Sequence, residues 1–118
     1  MANPVVWFEV VGADAKALQA FYGDLFGWQF DTDNPVGFGM VAAQGEGIPG
    51  GVGPAQQGPG WTTFYVQVDD VEAAVAKATS AGGTVLMPPT QLPTTRIAVI
   101  ADPEGHPVGL ATPQAAAA

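Results

Sequence analysis

Cysteine is absent from this 118-residue chain, and basic residues nearly so: Lys16, Lys77 and Arg96 stand against eleven carboxylates, for a formal net charge of −8. Without cysteine there is no disulfide, no thiolate nucleophile and no thiolate metal site. A surface this acidic repels a phosphate backbone, so nucleic acid is not expected as a partner. His106 is the single histidine, and any imidazole chemistry rests on that one ring. No apolar run approaches the roughly 18 residues of a membrane-spanning helix. The opening Met1-Ala2-Asn3-Pro4 lacks the basic flank and apolar core of a secretory leader. The expectation is a cytoplasmic protein with no membrane partner, of a length that suits one domain.

What the chain does have is a repeat. Asp14 is followed thirteen residues later by Gly27, and Asp70 thirteen residues later by Gly83. The offset of 56 also superimposes Trp7 on Thr63, Val10 on Val66, Leu18 on Ala74 and Phe30 on Leu86. Such repetition points to two like units around a shared groove.

Local patterns place the elements. Val5 to Val11, rich in β-branched and aromatic residues, reads as a strand. Leu18, Phe21, Tyr22 and Leu25 fall at i, i+3, i+4 and i+7, one face of a helix from Ala15 to about Phe26, with Asp14 as N-cap and Gly27 as C-cap. Trp28 to Phe30 and Phe38 to Ala43 read as strands. The Gly- and Pro-rich stretch from Gly45 to Gly60 is expected to hold a short strand near Gly51 to Pro54 and then a linker or flap; it has no Walker pattern. In the second unit Trp61 to Val68 alternates, which predicts Thr62, Phe64, Val66 and Val68 toward the helix and Thr63, Tyr65 and Gln67 on the other face. A helix from Val71 to about Ala81 follows, capped by Asp70 and closed by Gly82-Gly83. Strands are predicted at Thr84 to Met87, Arg96 to Ala101 and Val108 to Thr112, the last two joined by the turn Asp102-Pro103-Glu104-Gly105. The order is βαβββ twice: module one about 4–54, linker about 55–60, module two about 61–113, and a frayed tail over 114–118.

Gly12-x-Asp14 after a strand, Phe21-Tyr22 before Leu25-Phe26-Gly27-Trp28, then Val68-Asp69-Asp70, Ala81-Gly82-Gly83 and Asp102-Pro103-Glu104-Gly105 resemble the glyoxalase, bleomycin-resistance and extradiol dioxygenase superfamily, the vicinal oxygen chelate (VOC) proteins. The resemblance covers nearly the whole chain. It implies an α+β fold of two βαβββ modules in a cupped half-barrel around one cavity, and a homodimer. A ferredoxin-like domain would need βαββαβ order and leaves the fourth strand of each copy unexplained.

In metal-dependent relatives, the resemblance implies, a divalent ion is held by His, Gln or Glu from the first and last strand of each module. The matching positions here are Trp7, Gly53, Thr63 and Gly109, with a slip of two allowed along the Gly50 to Gly53 strand. An indole, a hydroxyl and two hydrogens cannot hold a divalent ion against water. No metal and no other cofactor is therefore expected, and His106 reads as a solvated rim residue.

The remaining candidates form a ligand-binding surface. Trp7 and Glu9 share one face of the first strand, and Thr63, Tyr65 and Gln67 the matching face of the second, giving aromatic flats with polar handles suited to a small organic molecule. Trp7 and Tyr65 either line the cavity or fill it. Glu9, partly desolvated, is the candidate general base; against that stands a structural hydrogen bond. Arg96 is a candidate anion anchor or partner for Glu9; against that, it starts a strand and points to solvent. The favoured function is metal-free binding or sequestration of a small organic molecule. The alternatives are a metal-dependent lyase, isomerase or dioxygenase, and a metal-free enzyme with Glu9 as base.

Overall fold

The computed structural model describes residues 3–55 and 58–113. Its elements are β1 (Val5–Gly12), α1 (Ala15–Phe26), β2 (Gly39–Val41), β3 (Gly50–Pro54), β4 (Gly60–Gln67), α2 (Val71–Ser80), β5 (Thr84–Gln91), β6 (Arg96–Ala101) and β7 (Pro107–Ala111). The mixed α+β content and the second βαβββ module stand as the sequence predicts. The first module lacks one strand: Trp28 to Phe30 pairs with nothing along its length, and a lone bridge from Asp31 to Met40 marks the place. Its aromatic residues are engaged in ring contacts instead, Phe8 with Trp28 at 5.2 Å and Trp28 with Phe30 at 6.4 Å between centroids. Parts of the expected linker and the whole expected tail, residues 56–57 and 114–118, lie outside the described residues.

The chain divides into two compact units, Trp7–Thr63 and a second comprising the residues up to Val6 with those from Phe64 onward. The boundary therefore crosses β1 and β4 rather than the expected linker. In the second unit the start of the chain is held by Gln67, whose N–H donates to the Pro4 carbonyl (2.9 Å) and whose carbonyl accepts from Asn3 Nδ2 (3.0 Å).

Within the Trp7–Thr63 unit the strands run β2-β3-β1 with the opening of β4 next. β3 is parallel to β1, with Glu9 opposite Gly51 and Val11 opposite Gly53, and antiparallel to β2. Asp14 caps α1 by accepting from the Ala17 N–H (3.0 Å), and Gly27 ends it in the left-handed conformation at φ 72°, where a Cβ would be strained. Gln19 fastens α1 to β3, its Nε2 donating to the carbonyls of Val52 (2.8 Å) and Gly37 (3.1 Å). Val41 and Val52 are buried, yet α1 has no buried residue, and Phe21, Leu25 and Phe26 are each more than half exposed.

Within the second unit the order is β4-β7-β6-β5. β7 is parallel to β4, with Tyr65 opposite Gly109, and antiparallel to β6. Asp70 caps α2 through the Ala73 N–H (3.1 Å). Val71, Ala98, Val99, Ala101 and Leu110 form the core. Strand β5 runs four residues past its predicted end through Pro88 and Pro89. It lies at the outside of the order, where proline's missing N–H is tolerated, and its pairing with β6 shifts register twice.

Candidate functional site

On β1 the strand's alternation sends Phe8 toward α1: its ring meets Trp28, which stacks on Tyr22 of that helix at 5.9 Å. Trp7 and Glu9 then belong to the other face, and both are half-buried. The Glu9 carboxylate is not isolated there. Its Oε1 accepts from the Trp61 indole Nε1 at 3.4 Å.

At the last-strand positions the structure adds what the sequence could not show. The Phe38 ring lies over both Gly51 and Gly53, so close that a Cβ would fall 2.0 Å or 2.3 Å from it. In the other unit Tyr65, 5% exposed, covers Gly109, where a Cβ would fall 2.4 Å from its ring. Glu9 and Tyr65 are repeat partners; the first faces Gly51 and the second Gly109. The register counterpart of Gly109 is therefore Gly51, two residues before Gly53. At either residue the space for a donor side chain is taken by an aromatic ring.

The other candidates disperse. Thr63 is 6% exposed and Tyr65 5%, while Phe64, expected toward the helix, is 43% exposed. Gln67 spends its backbone on Pro4 and Asn3. The Arg96 guanidinium pairs with Glu72 of α2, with Nε donating to Oε2 at 2.8 Å and Nη2 to the same oxygen. Arg96 holds the Glu72 carboxyl below its ordinary range, and Glu72 raises Arg96 in return. His106 is exposed and bound to its own turn, with Nδ1 3.0 Å from Asp102 Oδ2. Backbone N–H donation from His106, followed by its side chain and the Glu104 N–H, holds Asp102 below the usual carboxylate range.

An open cavity of about 510 Å³ lies wholly within the Trp7–Thr63 unit. It is bounded by the end of β1 (Val10 to Gly12), the Ala13-Asp14 corner, Ala17, Leu18 and Tyr22 of α1, and Pro59 to Thr62 at the start of β4. None of the six expected ligand-binding residues lines it, although Glu9 holds the indole of Trp61, which does. One signal for it was present in the sequence: Gly12 and Gly60, just where β1 leaves and β4 begins. A Cβ at Gly60 would fall 1.9 Å from the Val11 carbonyl oxygen, and one at Gly12 would fall 2.9 Å from Leu18.

Among the described residues, no three His, Asp or Glu side chains are grouped to hold a metal ion. The donor set that the superfamily's ion requires does not fit the residues at its positions: Trp7, Thr63 and ring-covered glycines.

Comparison with known proteins places the chain. A family described as Glyoxalase-like domain matches residues 7–111. Mycobacterium tuberculosis "Putative glyoxylase CFP32" is 39% identical over 116 residues, covering 88% of this chain and 43% of that protein. Streptomyces peucetius "Anthracycline biosynthesis protein DnrV" is 34% identical over 118 residues, covering 84% and 43%. The chain thus spans less than half the length of these curated relatives. Among solved structures, a variant of Streptomyces coelicolor methylmalonyl-CoA epimerase has the same fold, with TM-score 0.68 at 18% identity over 99% of this chain and 97% of that one. So does a glyoxalase/bleomycin resistance protein/dioxygenase superfamily member from Vibrio splendidus, with TM-score 0.64 at 17% identity over 95% and 100%. Asp14, Gly27 and Asp70 thus punctuate a chain that belongs to the glyoxalase-like domain family of the VOC superfamily.

Proposed function

We propose that this chain binds or sequesters a small organic molecule and does so without the superfamily's metal ion. The observation that carries this reading is the pair of aromatic rings lying on Gly51, Gly53 and Gly109, which removes the donors while keeping apolar flats. Support also comes from the Streptomyces relatives named for anthracycline biosynthesis, a process whose product is an organic compound. Trp7 and Glu9, half-buried, stay within the reading as contact residues. A metal-dependent lyase, isomerase or dioxygenase is the reading that the glyoxylase name of the mycobacterial relatives favours, but among the described residues no three His, Asp or Glu side chains are grouped to hold its ion. A metal-free enzyme using Glu9 as base is the other alternative; the half-buried position of Glu9 favours it, and the hydrogen bond that its carboxylate accepts from the Trp61 indole weighs against it. The same reading takes the protein as cytoplasmic and as a homodimer, the second supported by the exposed Phe21, Leu25 and Phe26.

A thermal-shift screen of organic compounds, run with EDTA and again with nickel, zinc, iron or manganese, tests it. Stabilisation by a compound that is the same in both conditions is the expected result. A metal ion bound at one per chain after purification without chelators, or compound binding only when a metal is added, overturns it. Turnover of a bound compound that Glu9→Gln abolishes without weakening binding would move the assignment to the metal-free enzyme.

A further inference from the structure

We propose that Phe38 sets the specificity of the sheet face that carries Trp7 and Glu9, and that Asn34 is the residue that positions it. This rests on the small-molecule reading above and deepens it. It names the ligand class, an apolar molecule that brings a hydroxyl or amino donor, and the element that limits the ligand's size.

Register puts the parts on one face. Met40 stands opposite Gly51, and Gly51 opposite Glu9, so the three form a row across β2, β3 and β1 with their side-chain positions on the same side. That side is turned away from α1, because Phe8, next to Glu9, takes the helix side with Trp28 and Tyr22. With glycine in the middle, Met40 and Glu9 are two strand spacings apart, roughly 10 Å. A slot over bare backbone would run between them, and Gly53 lengthens it by one rung. Phe38 fills this slot. It stands two residues before Met40 and so leaves the backbone on the same side, and its ring lies so close to Gly51 and Gly53 that a Cβ on either would collide with it.

The ring is held through its own backbone. Asn34 Oδ1 accepts from the Phe38 N–H (2.8 Å) and Asn34 Nδ2 donates to the Phe38 carbonyl (2.7 Å). One residue earlier, Gln19 Nε2 donates to the Gly37 carbonyl (3.1 Å). Phe38 is nevertheless only half-buried, and Met40 is 42% exposed, so a ligand can lie against the ring but not beneath it. Beside the ring such a ligand meets Trp7, Met40 and the Glu9 carboxylate. That carboxylate accepts from Trp61, and a carboxylate takes several donors at once. The one basic side chain of this unit, Lys16, lies on α1, behind the sheet. An anion on this face therefore finds a carboxylate and no cation, and a neutral or positive donor is preferred.

Calorimetric titration with para-cresol and para-hexylphenol, with para-toluate as the anionic comparison, tests the assignment. The parent is expected to bind the two phenols within about threefold of each other, because the slot is closed to the longer tail, and para-toluate at least about tenfold more weakly than para-cresol. Phe38→Ala is expected to favour para-hexylphenol over para-cresol at least about tenfold, as the tail enters the opened slot. Adding Gly53→Val refills the slot and is expected to return the preference to within about threefold. Asn34→Ala, which releases the ring, is expected to raise the preference at least about threefold, and Asn34→Asp, which keeps the acceptor for the Phe38 N–H, by less. Circular dichroism melts establish which variants fold; if Phe38→Ala does not, Phe38→Leu is expected to show a preference of about fivefold. A ring that only fills space would lower the melting temperature of these variants without changing the preference. The same preference in the parent as in Phe38→Ala or Phe38→Leu, para-toluate binding as tightly as para-cresol, or no phenol binding to any of these proteins, overturns the proposal. Failure of the two readings is separable. If the compound screen finds ligands whose affinity neither Phe38→Leu nor Glu9→Gln alters, this assignment fails and small-molecule binding stands; if it finds none, both fail.

Discussion

In the unit from Phe64 onward, Val71, Ala98, Val99, Ala101 and Leu110 are all less than a tenth exposed, and α2 closes over strands already filled by side chains. The Trp7–Thr63 unit buries Val41 and Val52 but fills much of its remaining interior by laying rings on bare backbone, Phe8 over Gly50 and Phe38 over Gly51 and Gly53. Its helix hides no residue completely. The same βα pattern has thus been finished once mainly with Val, Ala and Leu, with the single ring of Tyr65 on Gly109, and once mainly with aromatic rings on glycine. The second solution leaves a groove on its helix side and apolar side chains in water. A unit built this way relies on backbone proximity, which glycine alone permits, where its partner relies on volume.

The largest effect that can break this comparison is at Gly60. Gly60 and Gly105 share nearly the same left-handed φ, 90° and 91°, but a Cβ meets the Val11 carbonyl at the first and nothing within 4 Å at the second. Gly105→Ala is expected to cost about 1 kcal/mol, the price of the conformation alone, and Gly60→Ala about 3 kcal/mol or more. Urea denaturation of the two variants measures the difference, and equal costs would show that close approach plays no part. Next comes the ring itself: Phe38→Ala is expected to lose about 2–3 kcal/mol, and adding Gly53→Val to recover part of it by refilling the same space. A double variant less stable than Phe38→Ala would mean that the ring is not a stand-in for the missing side chain.

Helix against helix sharpens the contrast further. Val71→Ala on α2, where Val71 is 1% exposed, is expected to cost about 2 kcal/mol. Phe21→Ser and Leu25→Gln on α1 are expected to stay within about 0.5 kcal/mol of the parent, read by thermal melts of dilute protein. The smallest effect is electrostatic. Because Arg96 lowers the folded-state carboxyl of Glu72 from its ordinary 4.5, the pair contributes above the unfolded value and is lost as pH falls through the folded one. The difference in Tm between the parent and Glu72→Gln should therefore be constant above about pH 5 and vanish on acidification. Both groups are exposed, so it should also shrink in salt. A difference that grows at low pH would reverse the assignment.

Much of the scaffold was legible because it is written in local chemistry. Asp14, Gly27 and Asp70 cap the helices as their residue types dictate, and α1 begins and ends where the i, i+3, i+4 spacing puts it. Trp28 to Phe30 misled because aromatics favour strands only where a strand is there to pair with. Here Trp28 instead joins Tyr22, Phe26 and Phe8 in a ring cluster. The donor-poor positions were readable as letters, Trp7, Thr63 and glycine, but the rings on top of those glycines come from Phe38 and Tyr65, whose placement depends on the folded register. The groove was missed for a related reason. Val10 and Leu18 look like a strand–helix contact in sequence, and only the crossing of Gly12 and Gly60 opens a space beside it.

The two-residue displacement that sets Gly51, and not Gly53, opposite Glu9 has a consequence for how the halves could drift apart. Side chains along a strand alternate, so a shift by an even number carries every residue to a neighbouring rung on its own side. A shift of one would have exchanged the faces on which the enclosed Val52 and the ring-covered Gly51 and Gly53 lie, although all of them are buried. Insertions and deletions that arrive in pairs are therefore the kind this architecture can absorb silently, and odd ones the kind it must reject.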